Sequence, residues 1–360
     1  MEASCPVSAT GLLQDPCYQT ARIASPETAN NLLSEEIANV NKKMVEQNSK
    51  IVSSNSDEKF QVTTFNAGLL KTKVLGILQL EVPQYESRRP LVFSAIASHL
   101  REEKPFFFFL QEVWHRNDFD QIKEIAGSEG YVVIGTRGSN KFRPYGLVTL
   151  ARKQGLKCTE AGCEISTGRS FEETIAGFKR GFLPTLLTTE SGLRGLIVNS
   201  HFTYSPGKTE TRLRQAKKII DYIARVDDID FVVFSADTNS SDTFANQAEI
   251  FNPPWFRDRE VYLTIASELG FIDSYRTVNP RKPGFTQDPE KNTLTALSAT
   301  TKNEPRQRLD YIFLAGRGAV EVGVVDSDLI FDSPSGSGND SLFLSDHFGV
   351  TSSVVLRKNP

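Results

Sequence analysis

A chain of 360 residues is long enough for two ordinary domains, or for one large two-layered domain with an extension. Its apolar content of 39% and charged content of 24% fit a globular protein with a substantial core, and no apolar run reaches the length of a membrane span. The formal net charge of -3 at pH 7 provides no general attraction for polyanions, which argues against a duplex-binding protein with a basic face.

The N-terminus Met1-Glu2-Ala3-Ser4 lacks the basic start and apolar stretch of a standard secretory signal. A cytoplasmic or peripheral membrane location is the expectation, with export by a non-standard route left open. None of the four cysteines, Cys5, Cys17, Cys158 and Cys163, has zinc-ribbon spacing. Cys158 and Cys163 are close enough to bridge across a hairpin; free thiols in a reducing compartment are the equal alternative.

Residues 1–56 are rich in Ser, Asn, Glu and Lys and poor in aromatics, and are read as an extension to a catalytic domain over 57–360. Ser25-Pro26 reads as an N-cap followed by proline at the first helical position. Leu32, Leu33, Ile37, Val40 and Met44 then recur at helical spacing, predicting one amphipathic helix over Pro26 to Ser49 in a poorly ordered segment. Its apolar face would meet the main domain, a partner or a membrane.

From Phe60 the pattern changes. Phe60 to Phe65 alternates as a strand and ends in the turn Asn66-Ala67-Gly68. A helix around Arg89 to Glu102 leads to Phe106 to Leu110, a continuous apolar run that predicts a strand buried on both faces. This run stops at Gln111-Glu112, where an unpaired carboxylate would be costly to bury. A helix from Asp118 to Ala126 follows, then strands at Tyr131 to Ile134, Gly146 to Ala151 and Leu183 to Thr188. Leu193 to Asn199 ends in Ser200-His201, a helix runs from Thr209 to Val226, and Asp230 to Phe234 ends in Asp237-Thr238-Asn239. Asn252-Pro253-Pro254-Trp255-Phe256 offers aromatics to a bilayer interface or packs as a proline-stiffened loop. A helix over Glu260 to Leu269 and strands at Leu309 to Leu314 and Val320 to Val325 lead to Ser345-Asp346-His347 and a terminal strand from Val350. Many strands with interspersed helices predict two sheets packed face to face with helices outside.

Asn66, Glu112, His201, Asp237 and Asn239 all end apolar strands, and Asp310 with the Asp346-His347 pair opens later ones. Strand ends on one rim converge on one cleft. Carboxylates gathered there repel one another unless a cation neutralises them. Carboxylate and amide oxygens without a thiolate select magnesium, manganese or calcium over zinc. Imidazoles beside a hard cation suit phosphoester hydrolysis, the cation polarising oxygen and one histidine activating water.

Thr64-Phe65-Asn66, Leu110-Gln111-Glu112-Val113, Asn199-Ser200-His201, Ser235-Ala236-Asp237-Thr238-Asn239, Arg308-Leu309-Asp310-Tyr311 and Ser345-Asp346-His347 match, in order, the motifs of the endonuclease/exonuclease/phosphatase superfamily. The resemblance spans about Phe60 to Leu356 and implies an α+β, DNase I-like, four-layer α/β/β/α sandwich of two mostly antiparallel sheets. Gln111 to Trp114 with Asp118-Phe119, His201 to Tyr204 with Arg212 and Gln215, Gly270 to Arg276 and Asn292-Thr293 further resemble the neutral sphingomyelinase branch. Lys179-Arg180-Gly181-Phe182 is similar to that branch's Lys-Gly-aliphatic segment, with an arginine inserted here.

The resemblance implies that Glu112, Asn66 and Asp346 hold the metal, magnesium (Mg2+) with manganese or cobalt able to substitute. It implies His347 as general base with Asp310 fixing its tautomer, Asp237 and Asn239 orienting water and a phosphoryl oxygen, and His201 donating to a phosphoryl oxygen. Lys179, Arg180 and Tyr204 are substrate-binding candidates. The expected reaction is hydrolysis of sphingomyelin to ceramide and phosphocholine at a membrane surface. A DNase I-like nuclease or an inositol-phosphate phosphatase is the alternative, and nucleic acid is the less expected partner.

Overall fold

The computed structural model describes residues 12–52, 58–74, 78–135, 146–159, 162–167, 173–175, 178–204, 207–245, 251, 255–298, 301–336 and 341–359. In chain order it forms helices α1 (Pro16–Ala24) and α2 (Pro26–Ile51), strand β1 (Glu58–Asn66) and a hairpin of β2 (Lys71–Val74) and β3 (Leu78–Glu81). Next come α3 (Tyr85–Glu102), β4 (Phe107–Gln111), α4 (Arg116–Ser128), β5 (Tyr131–Gly135) and β6 (Val148–Arg152). Four short strands follow: β7 (Cys158–Thr159), β8 (Gly162–Cys163), β9 (Ile165–Thr167) and β10 (Glu173–Ile175). The second half holds β11 (Phe178–Thr188), β12 (Arg194–His201), α5 (Thr209–Ala224), β13 (Phe231–Asp237), α6 (Asp258–Ala266), β14 (Ile272–Asp273), α7 (Ser274–Val278) and α8 (Thr293–Leu297). The chain closes with β15 (Asp310–Gly316), β16 (Val320–Ile330) and β17 (Gly349–Lys358).

Two mixed sheets result. One has the order β16-β17-β1-β4-β6-β5, the other β10-β11-β12-β13-β15-β14 with β9 also on β11. Only two pairs within them are parallel, β1 with β4 and β12 with β13, among the described ladders. The continuous apolar run of β4 is explained by burial on both sides. Phe107 and Phe109 join the core between the sheets, while Phe108 and Leu110 join Val92, Ile96 and Leu100 of α3 and Ile122 of α4 on the outer face. Phe60 meets Phe231 of the opposite sheet at 6.1 Å between ring centroids. Ala216, Ile219 and Ile223 of α5, with Val261 and Ile265 of α6, cover the other outside. The α+β, four-layer α/β/β/α sandwich expected from the sequence is the fold.

Asn199 is the polar pin through this core. Its Nδ2 donates to the carbonyls of Leu110 and Val148 at 3.1 and 2.9 Å, and its Oδ1 accepts from Gln111 Nε2 at 2.8 Å. A strand of one sheet is thereby hydrogen-bonded to two strands of the other, immediately before His201 and Glu112.

The helix expected near Pro26 exists and is docked, which corrects the picture of a poorly ordered extension. Leu33, Ile37, Val40 and Met44 are buried in the main core. Asn48 donates Nδ2 to the Val324 carbonyl at 2.9 Å and accepts from the Val324 N–H at 2.6 Å, where β16 changes register against β17. With that face buried, α2 has no apolar stripe left for a membrane. Trp255 and Phe256, 7% and 2% exposed, are core residues too, so the interfacial reading of these rings is corrected; residues 252–254 lie outside the described residues. Cys158 and Cys163 pair across the β7–β8 hairpin as a disulfide, and Cys17 is also disulfide-bonded. Among the described residues, no helix is long and apolar enough to cross a membrane.

Candidate active site

β1, β4, β12 and β13 all point their C-terminal ends at one rim, and β15 and β17 begin there. The ladders set His201 beside Asp237, Asp237 beside Asp310, and Asn66 beside Gln111. Three candidate residues thus share one rung across three strands of the second sheet. Asn66 closes the gap between sheets, donating Nδ2 to Asp237 Oδ2 at 2.8 Å, while its Oδ1 accepts from the Gly68 N–H at 3.0 Å.

Backbone geometry aims the side chains. Glu112 and Asn239 have φ of 58° and 47°, in the left-handed region. Each stands just past a strand end. A left-handed residue there turns the chain sharply, at a cost that the surrounding structure must offset. The turn after Asn66 and the segment carrying Asp346 are held together by Arg88, which is fully buried. Its guanidinium donates to the carbonyls of Ala67, Gly68 and Leu344. Arg88 was missed by the sequence reading; the signal was there, a cation on the buried stripe Tyr85, Val92, Ile96 of α3.

His347 donates from Nδ1 to Asp310 Oδ2 at 2.8 Å, and its Nε2 lies 3.9 Å from Asp237 Oδ2. Burial opposes the imidazolium, but the carboxylates of Asp310 and Asp237 outweigh it and hold the His347 pKa well above the usual histidine range. His201 has the opposite fate. Burial, then the positive Arg180 and His347, hold it well below that range, so it is neutral. Its Nε2 is 3.3 Å from Asp237 Oδ2. Asp237 also accepts the Asn239 N–H on Oδ1 at 2.9 Å. Burial pushes its carboxyl up to about 6, Asp310 adding to the shift against the pull of His347. Asn239 donates Nδ2 to the Phe202 carbonyl at 3.1 Å.

Glu112 is pushed up to about 7, first by burial and then by the negative Asp346. A buried acid raised in this way beside a second acid is short of positive charge. Asp237, Asp310 and His347 present ligand atoms all within 4.8 Å of one another, a spacing able to hold a divalent cation, and Asp310 Oδ1 is buried without a hydrogen-bond partner. The donors are hard oxygens with one imidazole, which fits magnesium and its neighbours without being specific to magnesium.

The three proposed substrate contacts separate. Arg180 reaches the site, its Nη1 2.7 Å from His201 Nδ1. Tyr204 gives its hydroxyl to Glu304 Oε1 at 2.7 Å. Lys179 sits on β11 opposite Thr174, and its side chain lies outside the described residues.

No protein-family model and no curated protein sequence matches this chain. Solved structures do. D. rerio TDP2, complexed with single-strand DNA product, aligns with a TM-score of 0.56 and 19% identity over 83% of this chain and 99% of that one. The human Nocturnin catalytic domain with bound sulfate anion gives a TM-score of 0.52 and 18% identity, covering 84% and 97%. An endonuclease/exonuclease/phosphatase family protein from Bacteroides thetaiotaomicron gives 0.54 and 15%, covering 84% and 96%. At these identities the likeness defines the fold, which is that of the endonuclease/exonuclease/phosphatase, DNase I-like superfamily.

None of these structures is a sphingomyelinase, and the first holds a single-strand DNA product. The expectation of a membrane-lipid substrate with peripheral membrane contact, and nucleic acid as the less expected partner, is therefore corrected. The physical ground agrees: α2, Trp255 and Phe256 bury the apolar surface that a bilayer would have needed.

Proposed function

We propose that the protein is a metal-assisted phosphodiesterase acting on nucleic-acid phosphodiesters, single-stranded ones first. The observation that carries this reading is the opposed pair of imidazoles over Asp237: one neutral ring offering an N–H at 3.3 Å, and one ring backed through Nδ1 by Asp310 at 2.8 Å, whose Nε2 accepts a proton in the ring's neutral form. A phosphodiester needs both a fixed donor to its oxygen and a proton acceptor for water. The modest net charge counts against extended duplex binding, and a single strand needs a smaller electrostatic footprint.

Glu112, with Asp346 and the remaining lone pair of Asn66 Oδ1, would hold the divalent cation. We place it there because the raised Glu112 carboxyl beside the negative Asp346 calls for positive charge, and because the base role needs His347 Nε2 left free. When bound, such an ion supplies Lewis-acid stabilisation of phosphoryl charge. Asp310 keeps the Nδ1 proton of His347 in place and leaves Nε2 to take a proton from water. His201 donates its Nε2 proton to a phosphoryl oxygen, and Asp237 with Asn239 orients the attacking water. Lys179 and Tyr204 remain candidates for contact with the rest of the substrate.

Purified protein should cleave end-labelled single-stranded DNA or RNA with magnesium and lose that activity in EDTA. Glu112→Gln and His347→Ala should each lower turnover by about a hundredfold or more without a change in circular dichroism. Metal-dependent turnover of phosphoinositide or sphingomyelin vesicles with none of nucleic acid would reject the substrate class. Near-normal rates in either variant would reject the residue assignment.

A further inference from the structure

Arg180 has no place in the reaction as described above, yet it is built into the site. It precedes Gly181, the residue of β11 that pairs with His201 on β12. The side chain turns onto that imidazole, with Nη1 2.7 Å from Nδ1. The guanidinium carbon also lies 5.5 Å from the centre of the Trp114 ring, within cation–π range. Trp114 is 1% exposed and tightly seated, since a Cβ on Gly146 would come within 2.9 Å of the ring. Arg180 therefore ties a strand of the second sheet to the turn that carries Glu112 from the first.

The chemistry of the contact settles where the ring proton sits. A guanidinium has N–H donors, no acceptor, and does not give up its proton at working pH. Nδ1 of His201 must accept, so the single ring proton is on Nε2, and that N–H faces Asp237 Oδ2 at 3.3 Å. A second proton on Nδ1 would set two donors and two cations against each other at 2.7 Å. The other histidine of the site is held the opposite way: Asp310 can only accept when ionised, so the neutral form of His347 carries its proton on Nδ1 and exposes Nε2. An arginine and a carboxylate thus set two facing imidazoles to opposite tautomers.

We propose that Arg180 is a positioning residue that locks His201 as the neutral Nε2–H tautomer, making it a fixed hydrogen-bond donor and leaving the base role to His347. Its consequence for turnover rests on the phosphodiesterase reading; the lock itself does not. Lysine at this position offers an ammonium on a flexible stem in place of the planar fork, and methionine offers no donor.

The test uses the full chain with 15N-labelled histidine, metal-free at pH 7, His201→Gln serving to assign the signals. Wild type should show His201 protonated on Nε2 and bare on Nδ1. Arg180→Met should show a tautomer mixture or an imidazolium, and Arg180→Lys should recover part of the wild-type pattern. With bis(4-nitrophenyl) phosphate and magnesium, kcat of Arg180→Met should fall about tenfold to a hundredfold with KM little changed, the pattern of a lost transition-state interaction. A folded Arg180→Met that keeps pure Nε2–H overturns the proposal, as does a rise in KM alone, which would make Arg180 a substrate contact. Should the methionine variant not fold, the same readings on Arg180→Lys decide. A changed tautomer in a protein inactive on every phosphodiester would uphold the lock and reject the phosphodiesterase reading.

Discussion

At the scale of single residues, the site works by setting charge states against ordinary preference. The carboxylates around His347 favour its imidazolium, so a base at this position gains its acceptor only as pH rises through the elevated pKa. Asp310→Asn removes the closest of those carboxylates and should lower that pKa. The acidic limb of kcat/KM should therefore move to lower pH, while kcat falls about 10²- to 10⁴-fold because the ring is no longer held in the right tautomer. A pH–rate profile checks this; an unmoved limb would remove Asp310 from its role. These residues were legible in the sequence because each follows or precedes a buried strand. Arg88 and Asn199 were not read as parts of the site, and Arg180 was read only as a substrate contact, because their partners lie on other strands and no spacing along the chain encodes a contact between sheets.

At the scale of elements, α2 is the departure from expectation. Its amphipathic pattern was readable, and the surface it packs on was not. The helix covers α6, α7 and the β16 bulge, and its polar groups are spent on the same surface. Asn48 satisfies both backbone groups of Val324, and Asn41 accepts from Tyr262 Oη at 2.8 Å. Leu33 is fully buried in the main core. Leu33→Ala should therefore cost about 2–5 kcal/mol of unfolding free energy. Asn48→Ala, which leaves a buried N–H and C=O unpaired, should cost about 1–3 kcal/mol. Urea denaturation of the whole chain measures both. Changes under about 0.5 kcal/mol, the level of ordinary surface substitutions, would mean that the helix is an appendage after all.

At the scale of the whole molecule, buried ionisable groups set the response to acid. His99, 7% exposed between α3 and β1, is pushed down to about 4 by burial. Its unfolded counterpart titrates near 6.5, so the unfolded chain binds this proton first. The contribution of His99 should be full above pH 6.5 and fall by about 3 kcal/mol on going down to pH 4, read as the difference in stability between wild type and His99→Gln. His99→Gln should flatten that part of the curve. A second loss should follow at lower pH. Burial opposes the ionised Asp242, yet Arg276 and Arg308 hold its pKa far below the usual carboxylate range. That contribution is present above the unfolded pKa of about 4 and disappears as Asp242 is protonated. Denaturation of wild type and His99→Gln from pH 8 to pH 2 would separate the two stages, and a wild-type-minus-variant difference that stays flat between pH 6.5 and 4 would contradict the first.

The order of strands and helices, the two-sided burial of β4 and the polar residues at strand ends follow from the local run of side chains, because hydrophobic period and turn chemistry act over a few neighbours. The rest depended on which strand lies beside which. Only the ladders put His201, Asp237 and Asp310 on one rung, and only the packing of one sheet on the other brought Asn66 to Asp237 and Arg180 to Trp114. Substrate class was the point at which sequence misled: aromatics and an amphipathic helix look the same in a string whether they will meet a bilayer or a protein core, and only the folded chain buries them in the core.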